Sequence, residues 1–254
     1  MRQLSDLARE QRRVILVLTD EDARTGRRDA ALVDYFDNDE AAVVTIPGAL
    51  GLDDPLIRQL SAQNRLQAGE LLVQSPYNPS RYEFADSAVA EFAVAKFMLI
   101  SRVCQFLGAT SVTVDNVVAR TRDERILTES SGGTVVQSGS LGTEYALGTS
   151  VRERLEVHDT FPGGPADVDG ARKLLAQAGL TGDATLESVI DMRANGNRLT
   201  KREIKLSLTQ EAHHNLHVAA KYSGLKMVRL SSGFTRQVSE NVDVVLQATI
   251  TFPG

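Results

Sequence analysis

Three nearly continuous apolar runs, Val14-Ile-Leu-Val-Leu18, Ala41-Ala-Val-Val-Thr-Ile46 and Leu71-Leu-Val73, constrain this fold more than any other feature of the chain. A strand with one wet face alternates apolar and polar residues. A strand apolar at successive positions is buried on both faces, the pattern of a parallel sheet covered by helices. The segments between the runs carry helical signals. Asp53-Asp-Pro55 supplies capping carboxylates and a proline suited to a first turn, Gly69 a stop, and Leu56, Ile57, Leu60 and Leu66 an apolar face between them.

From about Arg81 to Leu107 the spacing predicts one long helix. Phe84, Ala88, Phe92, Ala95, Leu99 and Val103 follow steps of three or four, while Val89, Val94, Phe97, Met98, Ile100 and Phe106 fill the other faces. A helix apolar nearly all round is central, so Phe92 and Leu99 are expected to be buried. Gly108 ends it, and Ser111-Val-Thr-Val114 starts another strand.

The second half reads differently. Thr, Ser and Gly are frequent from Asp115 to Phe161, with Gly132-Gly133 as a hairpin turn, and Phe161-Pro-Gly-Gly-Pro165 is the clearest break. Helical patterns come next at Val168–Ala178, Thr185–Arg193 and Glu211–Tyr222. Lys201 to Leu208 alternates as a strand. Val242, Val244, Leu246, Ala248, Ile250 and Phe252 form one apolar face of another strand, against Asp243, Gln247, Thr249 and Thr251, with Val245 the apolar exception. The expected fold is therefore mixed α and β. An α/β-like half over 1–120 has buried strands and covering helices, and an antiparallel, β-rich α+β half covers 121–254. The break at Phe161–Pro165 reads as a loop or a boundary, so one continuous domain is the alternative.

The charge balance bears on partners. A formal net charge of -5 repels phosphate backbones, and the best local basic candidate, the cluster Arg198, Lys201, Arg202 and Lys205, is interrupted by Glu203 and reads as solvated surface, so no nucleic acid partner is expected. Cys104 is the single cysteine and lies in an apolar stretch, the setting of a small core hydrophobe, with neither disulfide nor thiolate cluster. No run approaches the roughly 20 apolar residues of a membrane span, and Val14–Leu18 is short of the roughly 7–15 of a signal-peptide core. A soluble cytoplasmic protein is the expectation.

No phosphate-binding G-x-x-x-x-G-K-[ST], G-x-G-x-x-G or G-x-S-x-G signature is present. In a parallel sheet, ligands bind in loops after the carboxyl ends of strands. Those loops are Thr19-Asp-Glu-Asp22, Pro47-Gly-Ala-Leu-Gly51 and Ser75-Pro-Tyr-Asn-Pro-Ser80, from which Asp20 and Asp22 offer acid–base chemistry and Tyr77 and Asn78 hydrogen bonding. His213 and His217, four apart on a helix, have the spacing of a metal-binding pair. His214 stands where a metalloprotease has its glutamate and spacing names no third ligand, so no metal and no cofactor is expected. The Gly/Ser/Thr-rich region from Thr113 to His158 has the composition of hairpins able to enter a membrane, with Arg122-Asp-Glu-Arg125 as a charged tip. The leading expectation is a binding or assembly protein with a protein partner or self-association. The alternatives are an enzyme on a small polar or nucleotide-like ligand at the loops after the first strands, and a membrane-inserting effector.

Overall fold

A computed structural model describes residues 12–29, 32–36, 38–48, 54–121, 141–155, 159–195 and 199–253. The chain is a mixed α and β protein whose described residues form two four-stranded sheets. It divides into two compact units, 1–89 with 210–239 and 90–209 with 240–254. The composition boundary near residue 120 does not coincide with this division. Composition changes along the chain, whereas the units are assembled by segments that return from far away in sequence.

In the first unit the sheet order is β2-β1-β3-β4, with β1 Val14–Thr19, β2 Ala41–Ile46, β3 Leu71–Ser75 and β4 Asn78–Phe84. Val14 to Leu18, Ala41 to Val44 and Leu71 to Ser75 are all buried, as continuous apolar runs require. Only β1 and β2 are parallel. β3 runs antiparallel to β1, and β4 antiparallel to β3. A continuous apolar run records cover on both faces and carries no information on direction, so the expected all-parallel sheet is corrected here.

The stretch expected as a loop at 75–80 is a tight turn leading into β4, and the long helix starts four residues later than its periodicity suggests. Pro79 fits β4 because that strand lies at the sheet edge, where a missing N–H costs no ladder bond. Buried Glu83 is held there by Arg65 Nη2 at 2.6 Å and by Arg81.

The helices of this unit are placed by their caps. α1 (Asp20–Arg28) starts where Thr19 Oγ1 accepts from Asp22 N at 3.0 Å. Asp20, Glu21 and Asp22 in its first turn and Arg27 and Arg28 in its last complement the helix dipole. α2 is the short turn Val33–Phe36. α3 (Pro55–Ala62) is capped by Asp54, whose carboxylate accepts from Leu56 N and Ile57 N, and buries Leu56, Ile57 and Leu60 on the core of Ile15, Val17, Ala42, Val44, Leu72 and Tyr82. It ends before Asn64, which is left-handed at φ 55°, so Gly69 serves the turn into β3 and not the helix stop.

α4 (Ala85–Phe106) is the 22-residue helix, contributing its first residues to the first unit and the remainder to the second. Phe92 is fully buried as expected; Leu99 is only half-buried, on the side of the helix where Met98, Arg102, Gln105 and Phe106 are exposed. The helix ends in a Schellman cap. Gly108 N donates to Gln105 O and Ala109 N to Cys104 O, with Gly108 left-handed at φ +79°.

The second unit holds the sheet β6-β5-β8-β7, antiparallel throughout: β5 Ser111–Thr121, β6 Asp159–Thr160, β7 Lys201–Leu206 and β8 Val242–Thr251. β8 is central and alternates buried and half-buried over its whole length, with Val242, Val244, Leu246, Ala248 and Ile250 inward. α5 (Leu141–Arg154) runs beside β5, where the nearest neighbours of a Cβ placed on Gly148 are Ala119 N and Val117 O, both at 3.8 Å. Leu141–Arg154, within the region expected as insertable hairpins, is thus helical. The Gly132-Gly133 turn and the charged tip at 122–125 lie outside the described residues. α6 (Val168–Gln177) is capped by Asp167 and α7 (Ala184–Ala194) by Asp183. Returning to the first unit, α8 (Gln210–Ala220) packs on β3, and α9 (Ser232–Ser239) comes after it. Among the described residues no helix is long and apolar enough to cross a membrane.

Candidate functional site

Because β1 and β2 are parallel, their carboxyl ends lie side by side, and the segments leaving the two strands meet at one end of the sheet. After β1 the chain enters α1 at once, held by the Thr19 cap. Asp20, Ala23, Arg24 and Arg27 stand at i, i+3, i+4 and i+7, which places them on one face of that helix. With Thr45 near the end of β2 they line a cleft of about 310 Å³. Arg24 Nε donates to Asp20 O at 3.0 Å, which anchors its guanidinium one turn above the carboxylate. Gly48 flanks the same end: a Cβ there would lie 3.3 Å from Asp20 Oδ1 and 3.5 Å from Thr45 Oγ1. Two oxygen acceptors and two guanidinium groups therefore surround one small concavity.

The structure separates the four residues expected to share a site. Asp20 lines the cleft. Asp22, two residues on, takes a hydrogen bond from Thr19 Oγ1 at 2.7 Å and belongs to the helix cap. Tyr77 and Asn78 lie beyond the opposite end of β1, because β3 runs back along it with Leu16 beside Leu71 and Val14 beside Val73. The length of a six-residue strand, roughly 20 Å, intervenes. Tyr77 is buried in the β3–β4 turn, and Asn78 Oδ1 accepts from Ser80 N at 3.0 Å.

The histidines lie on α8, with His213 half-buried and His217 exposed. Among the described residues no three His, Cys, Asp or Glu side chains are grouped to hold a metal ion. The middle histidine ties to a distant residue: His214 Nε2 lies 2.7 Å from Glu40 Oε1, which also takes Arg13 Nε at 2.8 Å. Arg13 Nη1 donates to Asn215 Oδ1 at 2.6 Å and also pairs with Glu211. Buried Asn215 donates to Gln74 O at 2.9 Å, and Gln74 Nε2 reaches Tyr82 Oη at 3.2 Å. This chain of bonds ties the amino ends of β1 and β2 to α8. Burial pushes the Glu40 carboxyl up, but the His214 hydrogen bond and the charges of His214, Arg13 and Lys221 more than offset it, leaving its pKa below 4.5. The network is a clamp of satisfied groups, and no sequence spacing foretold it. The one available signal was Asn215, a polar residue among the apolar positions Ala212, Leu216 and Ala219.

Elsewhere, burial raises the Glu70 carboxyl, with Arg229 opposing and Asp86 reinforcing. Burial alone pushes the Cys104 thiol up to about 12, which leaves it protonated and unreactive at neutral pH. Of the cleft residues, Arg24, Arg27 and Thr45 were not singled out in the sequence. The helical spacing of Asp20, Ala23, Arg24 and Arg27 was the signal that could have found the first two.

Compared with known proteins, no family model matches the chain, and neither a curated protein nor a solved structure matches it.

Proposed function

We propose that the chain is a binding protein whose first unit takes a small polar molecule at the carboxyl ends of β1 and β2. The observation that carries this reading is the cleft lined by Asp20, Ala23, Arg24, Arg27 and Thr45. Its volume of about 310 Å³ lies at the small end of ligand sites, and its position is where open sheets with parallel strands take ligands. The lining supplies charge of both signs and one hydroxyl. Thermal-shift measurements with inorganic phosphate, small carboxylates and free amino acids test it. A ligand at a hundred times its Kd stabilises by about 2.7 kcal/mol, or roughly 5–10 °C in Tm. The shift should vanish in Arg24→Gln/Arg27→Gln, whose side chains are exposed, so that the fold survives. A shift that persists in this variant, or no shift with any probe, refutes the reading.

Self-association is the second reading, favoured by Val118 and Val245. They lie opposite each other on the outward side of β5 and β8, between the polar pairs Asn116–Gln247 and Arg120–Asp243. Its opponent is β7, an edge strand bearing Lys201, Arg202, Glu203 and Lys205, charges that resist edge-to-edge pairing. Light scattering on Val245→Asp decides: an oligomer that dissociates in the folded variant supports the contact, and a monomer at every concentration removes it.

A further inference from the structure

Arg202 places a cation on the covered side of β7. By the period of two it shares a face with buried Ile204 and Leu206, and its partner in the ladder is buried Ile250 of β8. The half-buried side chain reaches α7, where Nη1 donates to Met192 Sδ at 3.0 Å and Nη2 to Ser188 Oγ at 3.2 Å. Ser188 and Met192 stand at i and i+4, so one face of the helix presents both acceptors. Both acceptors are neutral, and a thioether sulfur is a weak one. Among the described residues no carboxylate pairs with Arg202, whose hydrogen bonds go to these two atoms. A partly buried guanidinium held this way is costly, and a negatively polarised oxygen at the sulfur would offset part of that cost.

The geometry points to Met192 as a site of reversible oxidation by hydrogen peroxide, whose product binds Arg202 more strongly than the thioether does. The Met192 side chain is half-buried beside exposed Asp191 and Ala194, within reach of so small an oxidant. The sulfur lone pair not engaged by Nη1 attacks one peroxide oxygen. The O–O bond breaks, an S–O bond forms, and the departing hydroxide takes the proton of the transferred oxygen and leaves as water. The sulfide is oxidised to a sulfoxide and the peroxide is reduced. The sulfoxide oxygen carries partial negative charge, and Nη1 swings from sulfur to this better acceptor in a charge-assisted bond. Methionine oxidation ordinarily disrupts packing by making an apolar side chain polar; here it tightens the tie between α7 and β7. Methionine sulfoxide reductases reverse the step. Met98, exposed on α4, and half-buried Met227 take no hydrogen bond at sulfur among the described residues and serve as internal controls.

Titration of the full chain with hydrogen peroxide tests this, with each methionine followed by mass spectrometry of its peptides and Tm measured before and after. Met192 should gain one oxygen in the folded protein. The change in Tm on treatment should be more positive in the parent than in Met192→Leu by roughly 2–4 °C, the shift expected of one strengthened hydrogen bond. That difference isolates Met192, because Met98 and Met227 oxidise alike in both proteins and leucine conserves the volume. In Arg202→Gln the gain should disappear. Met192 left unmodified at a dose that converts Met98 overturns the site. A Met192 sulfoxide that brings no gain over treated Met192→Leu, or an equal gain in Arg202→Gln, overturns the pairing with Arg202. If Arg202→Gln does not fold, the comparison of parent with Met192→Leu decides by itself.

Discussion

Lys96 allows a direct test of what holds the second unit together. It sits on α4 with its side chain 6% exposed, and its Nζ donates to Asp183 Oδ2 at 3.1 Å and to Ser207 O at 2.8 Å. Asp183 is not idle without it, because its Oδ1 caps α7 by accepting from Thr185 N and Leu186 N. Lys96→Met keeps most of the stem volume but leaves a largely buried carboxylate and a carbonyl without their shared donor. Breaking one side of a buried ion pair costs about 3–5 kcal/mol. The lower end applies here, since Asp183 keeps two N–H partners. At about 3 kcal/mol the midpoint falls by roughly 6–12 °C. Asp183→Asn preserves the cap, as asparagine caps well, but strands the ammonium, so its cost is similar. The double variant should cost less than the sum of the singles by at least about 1 kcal/mol, because neither charge is then left alone. Urea unfolding monitored by circular dichroism supplies all four corners of the cycle. A Lys96→Met variant within about 0.5 kcal/mol of the parent, or strictly additive singles, would show that this pair does not pin α4 to the start of α7.

Three further perturbations probe a helix end, the central strand and the polar clamp. Gly108→Ala drives a methyl into Gly164 O at a left-handed φ of +79°, so the loss should exceed the roughly 1 kcal/mol of conformational strain alone; a parental Tm contradicts the cap assignment. Leu246→Asp puts a carboxylate on the inward face of central β8 and should abolish soluble expression, whereas Gln247→Glu, outward and opposite Lys205, should fold normally; equal behaviour of the two sinks the one-sided strand. Thr249 is a poorer outward control, since it donates to Asp115 Oδ2 at 2.6 Å and an aspartate there would face another carboxylate. Glu40 has a folded pKa below its ordinary 4.5, so its contribution is present above that pH and is lost as pH falls through the folded value; Glu40→Gln should flatten that part of the acid limb of a Tm-against-pH curve, and an unchanged acid limb would show that the clamp does not stabilise the fold.

What was legible in the sequence is what depends on a residue's immediate surroundings. Continuous apolar runs marked β1, β2 and β3 as covered on both faces, and alternation marked the buried side of β8, because burial is imprinted at the period of the element itself. Asp54 and Gly108 declared a helix start and a helix end, since capping is settled within one turn by local hydrogen bonds. Cys104 in an apolar stretch identified itself as core. The direction of β3, the pairing of edge strand β4, and the return of 210–239 to the first unit and of 240–254 to the second were decided only by tertiary structure. Hydrogen-bonded ladders join residues far apart in sequence, and an apolar run can pair in either direction at nearly the same burial. The candidate site divides along the same line. Asp20 could be read from its place after a strand, but its separation from Tyr77 and Asn78 came from the reversal of β3. The meeting of Asp20 with Thr45 came from the parallel pairing of β1 with β2, a choice that neither strand's own residues encode.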